Sequence, residues 1–286
     1  MTMEFRQNSV RCVTPSGFHR MAYLEWGDPA NSRVLVCVHG LTRSSRDFDA
    51  FAQAMAGEYR VVCPDVAGRG DSDWLKSPME YAIPTYAADM VTLLARLNVE
   101  HVHWVGTSMG GLIGMALAAL PESPITRLVL NDVGPVITAV SLARIAAYVG
   151  KAPHFPTIEM ADAYIRMVSA SFGPHSDAEW RKLTENVIRR EADGSVRLHY
   201  DPKLAVPFVA TLSSVDTELW PLYDAIQCPV LVTRGADSDL LTSATAAEME
   251  RRGPRAKLVE FAGVGHAPTL MHDDQIAAVK SFLLSQ

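Results

Sequence analysis

The chain has 286 residues, of which 48% are hydrophobic and 20% are charged, and its net charge at pH 7 is −6. This composition is that of a globular protein with one large core, and the length allows a domain built in two parts. Neither a basic tail nor a stripe of lysine and arginine is present, so nucleic-acid binding has no electrostatic support.

The sequence contains no pattern that is typical of a signal peptide or of a membrane span. The first eleven residues are polar, and no run approaches eighteen apolar residues, so we expect no signal peptide and no membrane partner. The four cysteines are scattered without a Cys-x-x-Cys pair, and three of them lie in apolar, strand-like runs. This usage is typical of core residues in a reducing compartment, so we expect a cytoplasmic protein without a metal site.

The predicted elements begin with an antiparallel hairpin over 9–13 and 18–26, joined by Pro15-Ser16-Gly17. Buried apolar runs then alternate with segments of helical spacing. The predicted strands cover 34–38, 60–63, 102–105, 127–130, 230–233 and 257–261. The predicted helices cover 48–55, 85–97, 111–120, 244–251 and 274–284. This alternation predicts an α/β fold with a mostly parallel, eight-stranded sheet between two layers of helices.

One region interrupts the alternation. Between Pro135 and about Leu222 no convincing strand is found, and helical pieces are predicted over 142–149, 158–172, 177–191, 200–207 and 209–222. We therefore expect a helical cap over residues 135–221, inserted after the sixth strand, while residues 1–134 and 222–286 form the core domain. Cap side chains that face the core would line an apolar substrate pocket.

The pattern Gly106-Thr107-Ser108-Met109-Gly110 stands between a predicted strand and a predicted helix. A serine on such a sharp turn forms a nucleophile elbow, and the flanking glycines are needed because neighbouring backbone passes very close. The start of the helix also brings free N–H groups beside the reacting atoms. The context predicts that Ser108 is a catalytic nucleophile.

A nucleophilic serine needs a general base, and the base needs an acid that orients it. Of the nine histidines, His266 is the best candidate, because it lies in a glycine-rich loop directly after the last predicted strand. Three aspartates compete for the role of the acid, namely Asp132, Asp237 and Asp239. Each of them follows the carboxyl end of a predicted strand, so each is within reach of the histidine.

Two backbone N–H groups are expected to bind the oxygen that becomes negative during the reaction. Met109, the residue after the nucleophile, supplies one of them. Leu41, in the loop that follows the first buried strand, is positioned to supply the other. His39 in the same loop is predicted to fix the loop rather than to act as a base.

Taken together, the motifs resemble the α/β-hydrolase superfamily over nearly the whole chain. In chain order these are His39-Gly40, Pro64-Asp65 followed by Gly68-Arg69-Gly70-Asp71-Ser72, the Gly106–Gly111 elbow and Gly265-His266. The resemblance implies that Ser108 is the nucleophile, His266 the general base, and Leu41 and Met109 the oxyanion donors.

The same resemblance bears on the acid. Members of the superfamily usually carry it three residues after the glycine that ends the seventh strand, and that position is Ser238 here. A minority carry it after the sixth strand in an Asp-x-x-Pro setting, which Asp132-Val133-Gly134-Pro135 resembles. We therefore favour Asp132 and keep Asp239 as the alternative.

The predicted function is that of a cofactor-free serine hydrolase, which cleaves a small carboxylic ester or lactone through an acyl-enzyme. Arg43 and Arg46 are candidates for binding a substrate carboxylate. Three alternatives remain open from the sequence: a carbon–carbon bond hydrolase of ring-cleavage products, a cofactor-free haloperoxidase or perhydrolase, and a non-enzymatic receptor that retains the triad.

Overall fold

A computed structural model describes residues 4–210 and 212–285. Up to the sixth strand, the elements are β1 (Arg6–Thr14), β2 (Gly17–Trp26), β3 (Val34–Val38), α1 (Asp49–Met55), β4 (Arg60–Pro64), α2 (Ile83–Leu97), β5 (Val102–Thr107), α3 (Met109–Ala118) and β6 (Ile125–Asn131). The middle of the chain contains β7 (Val136–Ile137), α4 (Ala139–Ala146), β8 (His154–Phe155), α5 (Ile158–Val168), α6 (Asp177–Glu185), β9 (Ile188–Arg190), β10 (Val196–Leu198), α7 (Ala205–Ala210) and β11 (Thr217–Glu218). The last part contains α8 (Trp220–Asp224), β12 (Val230–Gly235), α9 (Ser243–Met249), β13 (Lys257–Phe261) and α10 (Asp273–Leu284).

Eight strands form the central sheet in the order β1-β2-β4-β3-β5-β6-β12-β13. The pairs β1–β2 and β2–β4 are antiparallel, and the remaining pairs are parallel. Every residue of β3 is buried, as expected for a strand that is covered on both faces. One hydrophobic cluster lies on the side of α2 and α3, and a second lies on the side of α1 and α10. The predicted α/β class and the mostly parallel eight-stranded sheet are therefore confirmed.

The segment 135–221 is less helical than the sequence predicts. Besides α4 to α7, it contains a three-stranded antiparallel sheet in the order β8-β10-β9 and a short pair between β11 and β7. The helix predicted over 177–191 ends at Glu185, because the chain turns at Asp193-Gly194 so that β9 pairs with β10. The interpretation of this segment as purely helical is wrong. Strands of two or three residues are too short for a periodic pattern and depend on partners elsewhere in the chain.

The prediction for residues 209–222 also needs correction. Here α7 ends at Ala210, residues 217–218 form a strand and α8 begins at Trp220, so the boundary predicted between 221 and 222 falls inside α8. Thr211, which the predicted helix includes, lies outside the described residues. The pairing of Thr217 with Ile137 brings the two ends of the segment together.

Within the described ranges, no helix combines the length and the hydrophobicity that crossing a membrane would take.

Candidate active site

Ser108 occupies the sharp turn between β5 and α3. Its backbone has φ 51° and ψ −115°, in a region that residues other than glycine rarely adopt. A Cβ atom on Gly106 would lie 2.3 Å from the carbonyl carbon of Gly110, and one on Gly110 would lie 2.0 Å from the carbonyl oxygen of Val38. Both positions therefore need glycine for the close backbone approach that the motif predicts.

The structure brings three of the sequence-predicted side chains into one hydrogen-bonded chain. Nε2 of His266 lies 2.9 Å from Oγ of Ser108, and Nδ1 of the same ring lies 2.6 Å from Oδ2 of Asp132. These residues follow β5, β6 and β13, whose carboxyl ends meet at one edge of the parallel sheet. The carboxylate of Asp132 is fully buried, and the side chain of His266 is 12% exposed.

The carboxylate of Asp132 has further partners. The N–H of Gly235 donates to Oδ1 at 2.9 Å, and the hydroxyl of Ser238 donates to Oδ2 at 2.6 Å. The N–H groups of Leu240 and Leu241 point at the oxygen of the same hydroxyl, at 3.3 Å and 3.2 Å. Ser238 thus stands at the usual position of the acid and serves as a donor to Asp132. Both oxygens of the buried carboxylate therefore have hydrogen-bond partners.

The two competing aspartates lie elsewhere. Asp239 receives two hydrogen bonds from Arg144, at 2.5 Å and 2.8 Å, and neither of its oxygens bonds to His266 in the described structure. Burial raises the pKa of Asp239, but the bonds and charge of Arg144 outweigh burial and hold this pKa below its ordinary value. Asp237 is exposed, and its backbone N–H donates to the carbonyl of Val264. Of the three aspartates, only Asp132 meets the histidine ring.

The two predicted oxyanion donors lie close to Ser108. Met109 is the first residue of α3, so its N–H has no partner inside the helix. Leu41 belongs to the loop after β3, where a Cβ on Gly40 would lie 3.7 Å from Cβ of Ser108. His39 holds this loop, because it accepts from the N–H of Val66 at 3.0 Å and donates to the carbonyl of Gly40 at 2.7 Å. Complete burial lowers the pKa of His39 to about 3, so the ring is neutral.

A cavity of about 100 Å³ opens onto Ser108 and His266. The loop after β3 and the loop around His266 form one side of it. The segment 135–221 contributes the other side, which is largely apolar and aromatic. Its lining side chains are Arg144, Ile145, Tyr148, Tyr164, Ile165, Val168, Ser169, Ser171, Phe172, Leu183, Val187, Leu198 and Tyr200.

This site and this fold can be compared with known proteins. Residues 35–279 match the model of a family described as "Alpha/beta hydrolase family". The chain belongs to this family. It is 53% identical to a protein named 3-hydroxybutyrate-oligomer hydrolase from Cupriavidus necator, over 99% of both chains. It is 26% identical to 2-(acetamidomethylene)succinate hydrolase from Mesorhizobium japonicum, over 82% of this chain and 81% of that one.

A solved structure gives the same assignment. The crystal structure of an alpha/beta hydrolase from Novosphingobium aromaticivorans is 37% identical and covers 99% of both chains, with a TM-score of 0.88. The family and the relatives support a hydrolase activity for this chain, in agreement with the resemblance that the sequence motifs carry.

The two predicted carboxylate-binding arginines of this alpha/beta hydrolase are both paired with aspartates. Arg43 lines the cavity, but its guanidinium bonds to Asp47 at 2.6 Å and 2.7 Å and to the carbonyl of Leu183 at 3.1 Å. Arg46 bonds to Asp49 at 2.6 Å and is not among the described residues that line the cavity. The expectation that Arg46 meets the substrate therefore finds no support in its position.

Three residues near the site of this hydrolase carry no sequence signal for their roles. The hydroxyl of Ser171 donates to the carbonyl of His266 at 2.5 Å, and the carbonyl of Ser171 accepts from the N–H of Gly265 at 2.6 Å. Arg69 is fully buried and donates to the carbonyl of Leu41 at 2.8 Å. Arg144 enters the cavity from α4. Of the three, only Arg69 lies in one of the sequence motifs, Gly68-Arg69-Gly70-Asp71-Ser72, and that motif does not predict its contact with Leu41.

Proposed function

We propose that this alpha/beta hydrolase cleaves a small carboxylic ester through an acyl-enzyme, with Ser108 as nucleophile, His266 as general base and Asp132 as the acid. The observation that carries the proposal is the continuous hydrogen-bonded chain from Oγ of Ser108 through both ring nitrogens of His266 to the buried carboxylate of Asp132. Such an arrangement is what activation of a serine hydroxyl needs.

The reaction follows from the donors and acceptors in this chain of groups. A carboxylate only accepts, so Nδ1 of His266 carries the proton and Nε2 is left to accept from Ser108. As Oγ attacks the ester carbon, its proton moves to Nε2, and Asp132 stabilises the imidazolium that forms. The negative oxygen of the tetrahedral intermediate then faces the N–H groups of Leu41 and Met109.

The second half of the reaction reuses the same groups. His266 returns its proton to the leaving alcohol, which departs and leaves an acyl group on Ser108. A water molecule that gives a proton to Nε2 attacks this ester, and the bond to Oγ of Ser108 then breaks as Oγ takes the proton back from Nε2 and the carboxylic acid is released. Each step uses groups of this chain together with water.

For the substrate, we infer a short ester of a 3-hydroxy acid. The 53% identity to 3-hydroxybutyrate-oligomer hydrolase over 99% of both chains supports this class. The size and the lining of the cavity fit this substrate class. A volume of about 100 Å³ suits a small acyl group, and the tyrosines of the lining offer hydroxyl groups to a polar substrate.

The test uses the purified protein with the linear dimer of 3-hydroxybutyrate and with p-nitrophenyl butyrate. We expect many turnovers per protein on both compounds, and labelling of Ser108 by a fluorophosphonate. Ser108→Ala should abolish turnover and labelling, whereas Ser281→Ala, a matched change on the exposed face of α10, should abolish neither. A receptor would release at most one equivalent of p-nitrophenol. Full activity in Ser108→Ala would exclude the serine mechanism.

A further inference from the structure

The two arginines of the cavity lining differ in where their acidic partners lie. Among the described residues of its lining, the side chains with a permanent charge at neutral pH are Arg43, Asp47 and Arg144. Arg43 and Asp47 bond to one another inside the lining. The partner of Arg144 is Asp239, which is not among the described lining residues. Among the described lining residues Arg144 therefore has no acidic partner, and Asp239 balances its charge from outside the lining.

The guanidinium of Arg144 is held in a fixed orientation. Its Nε and Nη2 donate to the two oxygens of Asp239, and neither of these bonds uses Nη1. A bidentate pair of this kind fixes the plane of the guanidinium and turns its other edge away from Asp239. The side chain is 36% exposed, so a ligand in the cavity can reach it. Arg144 also contacts Tyr148, which follows α4 and lines the cavity beside it.

The pair of Arg144 and Asp239 lies on the histidine side of the site. Asp239 directly follows Ser238, whose hydroxyl bonds to the carboxylate of Asp132, and this carboxylate bonds to His266. In serine ester hydrolysis the histidine passes its proton to the leaving alcohol. A group bound by Arg144 therefore belongs to the alcohol part of the ester.

We propose that Arg144 and Tyr148 bind the free carboxylate of a hydroxy-acid ester whose alcohol half carries that carboxylate. This subsite rests on the proposed function. In a linear dimer of a 3-hydroxy acid, the free carboxylate is two carbons away from the ester oxygen, on the half that leaves as alcohol. Because Arg144 binds the carboxylate, the site selects open-chain, anionic substrates. The same contact orients the leaving oxygen of the ester toward His266.

The test compares two substrates that contain the same ester bond. One is the 3-hydroxybutyrate dimer, and the other is the same dimer with its terminal carboxylate replaced by a carboxamide. We expect kcat/KM of the wild-type protein to be about tenfold higher for the acid, mainly through KM, because a charge-assisted bond is lost with the carboxamide.

The variants assign this preference to one side chain. Arg144→Gln should remove the preference for the acid, and Arg144→Lys should restore part of it. Arg46→Gln is the matched control, since Arg46 is also paired with an aspartate but lies away from the cavity lining. It should keep the full preference. Equal loss in Arg46→Gln and Arg144→Gln, or no preference in the wild-type protein, would overturn the proposal.

A binding measurement separates this proposal from the catalytic one. Calorimetry on Ser108→Ala should show tighter binding of the acid than of the carboxamide, and the double variant with Arg144→Gln should lose the difference. This readout needs no turnover. Failure of the wild-type protein to hydrolyse p-nitrophenyl butyrate would reject the proposed function alone, whereas equal binding of acid and carboxamide would reject the subsite alone.

Discussion

The hydroxyl of Ser238 donates a 2.6 Å hydrogen bond to the carboxylate of Asp132. The backbone sets the direction of this hydrogen bond. Because the N–H groups of Leu240 and Leu241 both point at the hydroxyl oxygen of Ser238, the hydroxyl proton is directed to the carboxylate of Asp132. The position that usually carries the acid in this superfamily is therefore occupied here by a serine that donates to Asp132, at the end of β6.

Ser238→Ala should lower kcat/KM by about tenfold, because a buried carboxylate loses a hydrogen bond and with it a fixed orientation toward His266. Ser238→Thr keeps the hydroxyl and should retain most of the activity. The measurement is the steady-state hydrolysis of p-nitrophenyl butyrate, with circular dichroism to show that both variants are folded. Wild-type activity in a folded Ser238→Ala would show that the hydroxyl is dispensable.

Asp132→Asn and Asp239→Asn form a matched pair. The first should reduce kcat by about 10⁴-fold, because the amide no longer holds the imidazole in the required tautomer. The second should reduce it less than tenfold on p-nitrophenyl butyrate, because Asp239 bonds to Arg144 and not to the histidine. If the ranking were reversed, Asp239 would be the acid.

Gly110→Ala should destabilise the fold by about 3 kcal/mol, because the new Cβ would meet the backbone oxygen of Val38 at 2.0 Å, where no flexible side chain can move aside. Gly57→Ala is the control, since a Cβ there has nothing within 4 Å. Urea unfolding followed by fluorescence gives both free energies of unfolding. Equal stability of the two variants would mean that the elbow is looser than described.

His39 should make the protein sensitive to acid. Its folded pKa of about 3 lies below the ordinary value of 6.5, because the ring is buried. Below pH 6.5 His39 binds a proton in the unfolded chain but stays neutral in the folded protein. The free energy of unfolding therefore decreases as the pH falls from 6.5 toward 3. Between pH 6.5 and pH 5 the loss from this ring amounts to about 2 kcal/mol.

The check for His39 is the difference between the wild-type protein and His39→Gln in urea unfolding at both pH values. Both proteins share every other titrating group, so the change in that difference reports this ring. The wild-type protein should lose about 2 kcal/mol more than the variant on acidification. Parallel losses in the two proteins would show that His39 is not kept neutral by the fold.

The sequence by itself was sufficient for the sheet and for selecting two residues that the structure brings together in the candidate site. Alternating buried strands and amphipathic helices leave a layered parallel sheet as the stable arrangement, because each apolar face must be covered. Ser108 and His266 stand out because their surroundings are local. Glycines beside a serine between strand and helix, and glycine before a histidine after the last strand, are steric requirements that can be read within a few residues.

Only the tertiary structure decided which residues far apart in the sequence come into contact at the site. Asp132, Asp237 and Asp239 all follow strand ends, and only the packing of β6 against β12 brings Asp132 to His266 and Ser238 to Asp132. The pairings of β8 with β10 and of β7 with β11, the hydrogen bond from Ser171 to the carbonyl of His266, and the bond from Arg144 to Asp239 have the same origin. Each joins residues that are well separated along the chain, and a contact of that kind leaves no periodic or local pattern, because its energy comes from a neighbour that only folding supplies.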